Sequence, residues 1–494
     1  MIAPPAEAGQ APEVQLDWVG SLDNAALIIS RLHRGEKRLV FCDSRARVEE
    51  LARGLRGLGV NTQVSHSALS LAERRAAELA FSQGSDCVIV ATSTLELGID
   101  VGDLERVIQI DAPATVSAFL QRLGRSGRCA GSIRNCLFLA TRRDAFLQTL
   151  ALLQLWSEGY VEPVTPPPLP LHTLAQQLMG LALQEADPGL TDWRGWLGRM
   201  PALTGIPPRK IQALLEHLLA SGILHADDGL VGMGEAGERQ FGRRHFMALC
   251  SVFLSPPLVR VFHGRQELGE VHQSSFMVRE QKPAVLTLGG RAWRTRHIDW
   301  QRRRAYVEPS DSRGRSRWLG EGRSLSFELC QAIPRVLARE DAPVALSRRA
   351  AALLGELREE YAWVEPGKTF LVVQDEGIHW WSFAGRLVNA TVAAALAGEA
   401  GSIGVDDLAV RFSGGVDPAR LRQALASRVL RTDAAPAVPL DERFVAALKF
   451  AECLDDTEGQ AVLAARYQVA REIATLAACP LRSLGRLSSI LKRD

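Results

Sequence analysis

The sequence predicts a multidomain α/β protein. A parallel α/β lobe comes first, then a winged-helix region, then a β-rich region and a mostly helical tail. Three observations carry this expectation. From Ser21 to about Leu150, short apolar runs of buried-strand type alternate with helical segments. That alternation is the mark of βαβ units and of a parallel sheet covered on both faces. A proline-rich connector, Pro163 to Pro170, then ends the pattern. Beyond it, two helical segments run into a small hairpin and alternating runs follow. A chain of 494 residues has room for several cores, since one core rarely grows past ~250–300 residues.

The elements follow in order. Met1 to Gly20, Pro- and Ala-rich at its start, reads as a linker (1–20). The lobe, 21–150, opens with Ser21 as N-cap of a helix through Asn24, Leu27, Ile28 and Leu32. Arg38-Leu39-Val40-Phe41-Cys42 is a strand, and a helix through Val48, Leu51, Leu55 and Leu58 stops at Gly59. Thr62–Ser65 is a weaker strand before a helix over Ser70–Ser82. Cys87–Thr92, Arg106–Ile110 and Asn135–Leu139 complete the sheet. In the winged-helix region, 151–245, helices are expected over Leu171–Glu185 and Pro207–Gly222. A hairpin follows, turning at Asp228-Gly229. Alternating runs at Ala284–Leu288 and Ala305–Val307 mark a β-rich nucleic-acid-binding domain over 246–345, and 346–494 reads as mostly helical.

Composition excludes several classes. The formal net charge of +2 identifies no partner by itself, because basic surface can be local. The eight cysteines are scattered without a CxxC pair, and no histidine cluster has zinc spacing. Free thiols in a reducing cytoplasm, and no metal site, are therefore expected. No stretch approaches the ~20 apolar residues of a membrane span, and the N-terminus has no signal-peptide core. A soluble cytoplasmic protein with no membrane partner is the expectation.

The most informative run is Gln121-Arg122-Leu123-Gly124-Arg125-Ser126-Gly127-Arg128. Its glycines allow close backbone approach, and its spaced guanidiniums can present forked donors to one phosphate. An exposed basic helix end would share that pattern. Two further segments narrow the choice. Ala91-Thr92-Ser93-Thr94-Leu95-Glu96-Leu97-Gly98-Ile99-Asp100 directly follows a buried strand, and carboxyl ends of parallel strands are where such sheets bind ligands. Its hydroxyls and amides suit a phosphate backbone, and Asp100 offers a carboxylate to a ribose or an arginine. Val40-Phe41-Cys42-Asp43-Ser44-Arg45 places polar residues at another strand's carboxyl end.

In this order the three segments resemble motifs IV, V and VI of superfamily 2 helicases, over Arg38 to about Ala140. The resemblance implies a RecA-like lobe. It makes Arg125 and Arg128 arginine fingers acting on the γ-phosphate, with Gln121 near the nucleotide. It assigns Thr92 and Ser93 to the nucleic-acid backbone, and Asp100, with Gly98 beside it, to coupling ATP with nucleic acid. Ser44, Arg45 and His66 would contact the tracking strand. The form Ala91-Thr92-Ser93 through Gly98-Ile99-Asp100-Val101-Gly102 resembles the large helicase-related (Lhr-type) proteins. So do Leu288-Gly289-Gly290-Arg291-Ala292-Trp293, Trp318-Leu319-Gly320-Glu321, Trp381-Ser382-Phe383-Ala384-Gly385-Arg386 and Leu448-Lys449-Phe450-Ala451-Glu452. That likeness runs from about Leu39 to about Leu454. Intact Lhr-type proteins unwind DNA or RNA–DNA hybrids and are linked to DNA repair, which implies a nucleic-acid partner here.

An arginine-rich stretch adds a physical argument. Arg291, Arg294, Arg296, Arg302, Arg303 and Arg304 accompany Trp293, Trp300 and Trp318. Cations track phosphates, and aromatic faces stack bases at ~1–3 kcal/mol per base. A solvated hairpin with core tryptophans would look the same in sequence. Arg209 and Lys210, at the start of the second helix of the winged-helix region, can touch phosphate or serve as ordinary helix-start residues.

No GxxxxGK[ST] loop or DExH stretch occurs in the sequence. Gly367-Lys368-Thr369 fails because Ala362 stands where the first glycine is needed. The chain is thus expected to begin near the linker between two RecA-like lobes. ATP and Mg2+ would then bind only with a first RecA-like lobe, and a separately encoded one would serve as partner. The alternative is a non-catalytic DNA-binding accessory subunit or the remnant of a truncated helicase gene.

Overall fold

The structure, a computed structural model, describes residues 11–96, 104–127, 132–184, 193–227, 230–242, 245–251, 258–276, 283–310, 316, 324–374, 377–429 and 448–485. The chain divides into two compact units. The first comprises residues 1–162, 256–368 and 487–494; the second comprises 163–255 and 369–486.

The first unit begins with β1 (Glu13–Trp18), α1 (Leu22–Arg31), β2 (Arg38–Phe41), α2 (Arg45–Gly57), β3 (Thr62–Ser65) and α3 (Leu71–Gln83). It continues through β4 (Val88–Ala91), β5 (Arg106–Ile110), α4 (Val116–Leu123), β6 (Asn135–Ala140) and α5 (Arg143–Ser157). Side-chain caps start the helices. Ser21, Ser44, Ser70 and Thr115 each accept a backbone N–H three residues on, which satisfies one of the helix's orphan donors. β2 and β4 are buried at every position, as central strands of a covered parallel sheet should be.

The segment expected to be a linker contributes a strand. β1 pairs in parallel with β6 from Glu13↔Asn135 to Trp18↔Ala140, with Val14 and Leu16 buried. The alternation in Glu-Val-Gln-Leu-Asp-Trp carries the strand signal, but the Pro/Ala-rich residues before it obscure that signal.

The second unit's first half holds α6 (Leu171–Gln184), α7 (Trp193–Leu197), α8 (Pro201–Thr204), α9 (Pro208–Ala220), the hairpin β7 (Leu224–Asp227) and β8 (Leu230–Met233), and α10 (Glu235–Phe241). The turn at Asp228-Gly229 lies outside the described residues. Buried Leu171, Leu174, Leu214 and Leu218 share a core with Leu448, Phe450 and Val462 from the far end of the chain.

The chain then returns to the first unit with β9 (Leu258–His263), β10 (Gln266–His272), β11 (Val285–Leu288), β12 (Arg291–Asp299) and β13 (Arg304–Pro309). These form a sheet in the order β10-β9-β13-β12-β11. After α11 (Phe327–Ala338), β14 (Ala345–Leu346) joins the lobe sheet and α12 (Arg348–Glu360) follows. The lobe sheet has the order β14-β1-β6-β5-β2-β4-β3, parallel at every pairing.

The region expected to be mostly helical also carries a sheet. β15 (Thr369–Gln374), β16 (Gly377–Trp381), α13 (Arg386–Ala395), β17 (Ser402–Val405), β18 (Ala409–Ser413), α14 (Pro418–Ala424) and β19 (Leu481–Leu484) fold in the second unit. Their sheet order is β17-β18-β16-β15-β19, and helices cover Asp456–Arg466 and Ala470–Ala478. Short continuous apolar runs such as Thr-Phe-Leu-Val-Val do not distinguish strand from buried helix by periodicity. No helix among the described residues is long and apolar enough to cross a membrane.

Within the first unit, the β9–β13 sheet is fused to the lobe. Val40, Leu51 and Leu55 of the lobe share one core with Val261, Leu286 and Trp293. The β11–β12 turn, Gly289-Gly290, has φ of 66° and 69°, as a two-residue hairpin of the primed type requires. Both its amides donate to the Glu49 carboxylate on α2, from Gly289 N at 2.6 Å and from Gly290 N. Arg56 closes the seam by donating to Gly289 O at 2.6 Å and Thr62 O at 2.9 Å.

A second seam lies at Gly269, where a Cβ would sit 2.1 Å from Ala68 O. Gly269→Ala should therefore destabilise the first unit by ~1–3 kcal/mol, the usual cost of forcing atoms into a packed site. Urea unfolding followed by tryptophan fluorescence checks this, and an unchanged midpoint would mean that the seam yields freely.

Candidate nucleic-acid interface

The lobe's parallel strands end where α4 begins to approach them, and one side chain joins those ends. On α4, Val116, Phe119 and Leu123 are buried, and so is Arg122, only 4% exposed. A buried guanidinium needs carboxylates and further acceptors around it. Arg122 has them: Asp43 at 2.9 Å, Gln109 at 2.6 Å and Glu96 at 2.7 Å. The Phe41 ring lies beneath it, 5.0 Å away, within cation–π range. Segments following β2 and β4 are thereby tied to β5 and to α4. Burial raises the Asp43 carboxyl above its ordinary range, and the neighbouring Arg122 opposes that rise.

The rest of the arginine-rich run is built on this anchor. Arg125, partly exposed, donates to the Glu96 carbonyl. Gln121 is exposed at the end of α4. Ser126 is buried; its hydroxyl accepts from Asn135 N at 2.8 Å and donates to Asn135 O at 3.0 Å. Gly127 has a φ of +70°, and a Cβ there would meet Arg134 N at 2.5 Å. Glycine is thus required for the run to pass so close to the approach to β6. At the other end, Glu162 accepts from the amides of Val116 at 2.7 Å and Ser117 at 2.9 Å, holding the start of α4.

At the carboxyl end of β4, Ser93 is exposed and Thr92 half-buried. Thr94 turns inward and donates to Ser65 O at 3.1 Å. At the end of β2, Ser44 caps α2 by accepting from Arg47 N at 3.2 Å. Arg45 is half-buried and interacts electrostatically with Glu270 of β10. Gly98, Asp100, Arg128 and Trp318 lie outside the described residues.

Two expected contacts are corrected by burial. His66 is wholly buried, with Nε2 2.8 Å from the Glu49 carboxylate. It links the lobe to the Gly289-Gly290 turn and presents no face to a strand of nucleic acid. Trp293 is 6% exposed, and its indole N–H donates to Leu288 O at 2.9 Å. The alternation of β12 turns it toward the core shared with the lobe, so bases cannot stack on it. Trp300, in contrast, is 51% exposed in the β12–β13 turn and meets Phe276 edge-on at 6.1 Å. Arg291 is exposed, and Arg296 is exposed but pairs with Glu308 at 2.6 Å. In the second unit Arg209 is exposed, whereas Lys210 is held by Glu458 at 2.8 Å.

Reading the sequence missed Arg122, Glu96, Gln109 and Glu49. For Arg122 a signal existed, since it follows Val116 and Phe119 at three-residue spacing on the buried face of α4. A charge on an apolar stripe calls for a partner. Glu49 carried no comparable signal, because its partners are backbone amides 240 and 241 residues away.

Comparison with known proteins agrees with the fold. Residues 22–130 match the helicase conserved C-terminal domain family. The Lhr helicase/uracil glycosylase of Escherichia coli is 29% identical over 290 residues, covering 54% of this chain and 18% of that protein. The ATP-dependent helicase Lhr-Core of Methanocaldococcus jannaschii is 32% identical over 148 residues, covering 30% of this chain and 18% of that protein. The matched regions therefore span less than a fifth of these relatives. The structure of Mycobacterium smegmatis helicase Lhr bound to ssDNA and AMP-PNP superposes with a TM-score of 0.68 at 17% identity, over 98% of this chain and 70% of that one. The fold is that of this Lhr structure, and residues 22–130 carry a helicase conserved C-terminal domain. More narrowly, the chain is similar to Lhr-type helicases over the regions matched.

Arg122→Ala should cost ~3–5 kcal/mol, since it leaves the buried Glu96 carboxylate without its partner. Arg122→Lys should recover only part, because an ammonium cannot present the same fork. Chemical denaturation of the three proteins decides. Equal stability of wild type and Arg122→Ala would remove Arg122 as the anchor.

Proposed function

We propose that the chain supplies the nucleic-acid-gripping and γ-phosphate-sensing half of an ATP-dependent DNA or RNA–DNA hybrid translocase. One observation carries the reading: Arg122, lying in sequence between Gln121 and Arg125, is bonded to the segments after β2 and β4 that bear Ser44, Arg45, Thr92 and Ser93, and Arg125 donates to one of those segments at Glu96 O. Residues suited to a nucleotide and residues suited to a phosphate backbone are thus mounted on one rigid edge. Gln121 and Arg125, with Arg128 beyond the described residues, would act on ATP held by a first RecA-like lobe. When bound, ATP with Mg2+ supplies the phosphoryl group whose transfer drives stepping. Asp100 and Gly98 keep their proposed part in coupling.

On the nucleic-acid side, Thr92 and Ser93 offer hydroxyls and amides at the β4 end, and Arg45 offers charge at the β2 end. Arg291, Arg296 and Trp300 extend the surface on the fused sheet, and Trp318 stays a candidate. The α9 helix and β7–β8 hairpin suit a winged-helix module, with Arg209 its exposed cation. DNA repair in the cytoplasm is the setting this reading favours.

Two measurements test it. Fluorescence anisotropy with a labelled single strand should show affinity falling steeply between low and moderate salt, as phosphate contacts demand. Affinity indifferent to salt would remove the basic grip. ATP hydrolysis by the purified chain alone should stay at background with or without DNA. DNA-stimulated hydrolysis that disappears in Arg125→Ala would contradict the need for a first lobe.

A further inference from the structure

The inner face of the β9–β13 sheet is spent on the core, and the outer face has its own organisation. Strand register sets side chains in rows across it. One row is Glu270, Arg260 and Arg304, paired across β10, β9 and β13. The next is Glu267, Phe262, Tyr306 and His297, running on to β12. A third pairs Glu308 with Arg294.

Three members of the middle row are aromatic, with Tyr306 stacked on His297 and tilted against Phe262. Phe262 and Tyr306 lie 5.9 Å apart at an interplanar angle of 32°, and His297 and Tyr306 lie 6.2 Å apart at 21°. The Arg304 guanidinium sits 5.6 Å from the Phe262 ring centre. Tyr306 is 37% exposed, and its ring lies between those of Phe262 and His297. Arginines flank the row on both sides, Arg260 and Arg304 on one and Arg294 and Arg296 on the other, with Glu267 4.0 Å from Arg260 and Glu308 2.6 Å from Arg296. The β12 bulge between Thr295 and His297 brings His297 opposite Tyr306. The face is also continuous with the lobe, since Glu270 at the end of the first row interacts with Arg45 at the end of β2.

We infer that this outer face is a second binding platform, taking single-stranded nucleic acid with bases over Phe262, Tyr306 and His297 and phosphates along the flanking arginines. Flat rings with arginines on either side match a strand whose bases are unpaired. Duplex, with its bases already stacked, offers only phosphates. The platform rests on the nucleic-acid reading given above and adds a place where the strand goes after the lobe's edge. It also shifts stacking from buried Trp293 to exposed Tyr306.

The experiment is anisotropy titration of the full chain with labelled oligothymidylate and with a duplex of equal length. The proteins are wild type, Phe262→Ala/Tyr306→Ala, Tyr306→Phe and Arg260→Glu. The double variant should bind the single strand about ten-fold or more weakly, given the usual worth of a stacked base. Tyr306→Phe should bind like wild type, because it keeps the ring. Arg260→Glu should lose affinity most at low salt. Unchanged affinity in the double variant, with wild type still binding, overturns the platform alone. No binding by wild type overturns both the platform and the reading beneath it. An equal loss for duplex would show a phosphate surface and overturn base stacking. Thermal midpoints confirm that the variants fold.

Discussion

A buried guanidinium cannot be left alone, and the first unit is arranged around that constraint. Arg122 is drawn from α4 into the sheet's carboxyl edge, where Asp43, Glu96 and Gln109 surround it. Each partner belongs to a different strand or the turn that follows it. An uncompensated charge here would cost several kcal/mol, so the segments after β2 and β4 cannot separate from α4 one at a time. Arg125 takes its position from the same source, since it leans on the carbonyl of the Glu96 that Arg122 holds. The edge is rigid because its charges have no cheaper arrangement.

A second joint extends that rigidity to the β9–β13 sheet. Glu49 faces inward from α2 and accepts from two turn amides and from His66. His66 directly follows Ser65, whose carbonyl accepts from Thr92 N at 3.2 Å and whose hydroxyl lies 3.3 Å from that of Thr94. A contiguous set of hydrogen bonds therefore runs from the β4 end to the hairpin tip. With the shared core beneath it, the sheet travels with the lobe as one body. Arg45 and the outer face of the sheet keep a fixed relation as a result.

Much of the lobe was legible in the sequence. Buried strands read as apolar runs, Ser21 read as a helix cap, and the arginine-rich run drew the eye to α4 and the strand ends beside it. What escaped notice were features set by tertiary context. β1 needed β6 beside it to be a strand, because its own alternation is brief and follows a Pro/Ala-rich stretch. The sheet of the second unit was hidden in short apolar runs that suit a buried helix equally well. His66 and Trp293 have the chemistry of nucleic-acid contacts, and burial alone disqualifies them. In Trp293 the decision falls to strand parity, since one residue's shift would turn the indole outward. Glu49 is illegible in principle from one sequence, because nothing local says that a carboxylate will cap a distant turn.

The central claim is that one edge of the lobe grips a strand of nucleic acid beside the residues that sense ATP. Photocross-linking of a bromodeoxyuridine-substituted single strand to the whole chain, followed by peptide mapping, tests it most directly. The account predicts cross-links in the peptides carrying Ser44 and Arg45 and in those carrying Thr92 and Ser93. Cross-links confined to the second unit, with none at these strand ends, would contradict it.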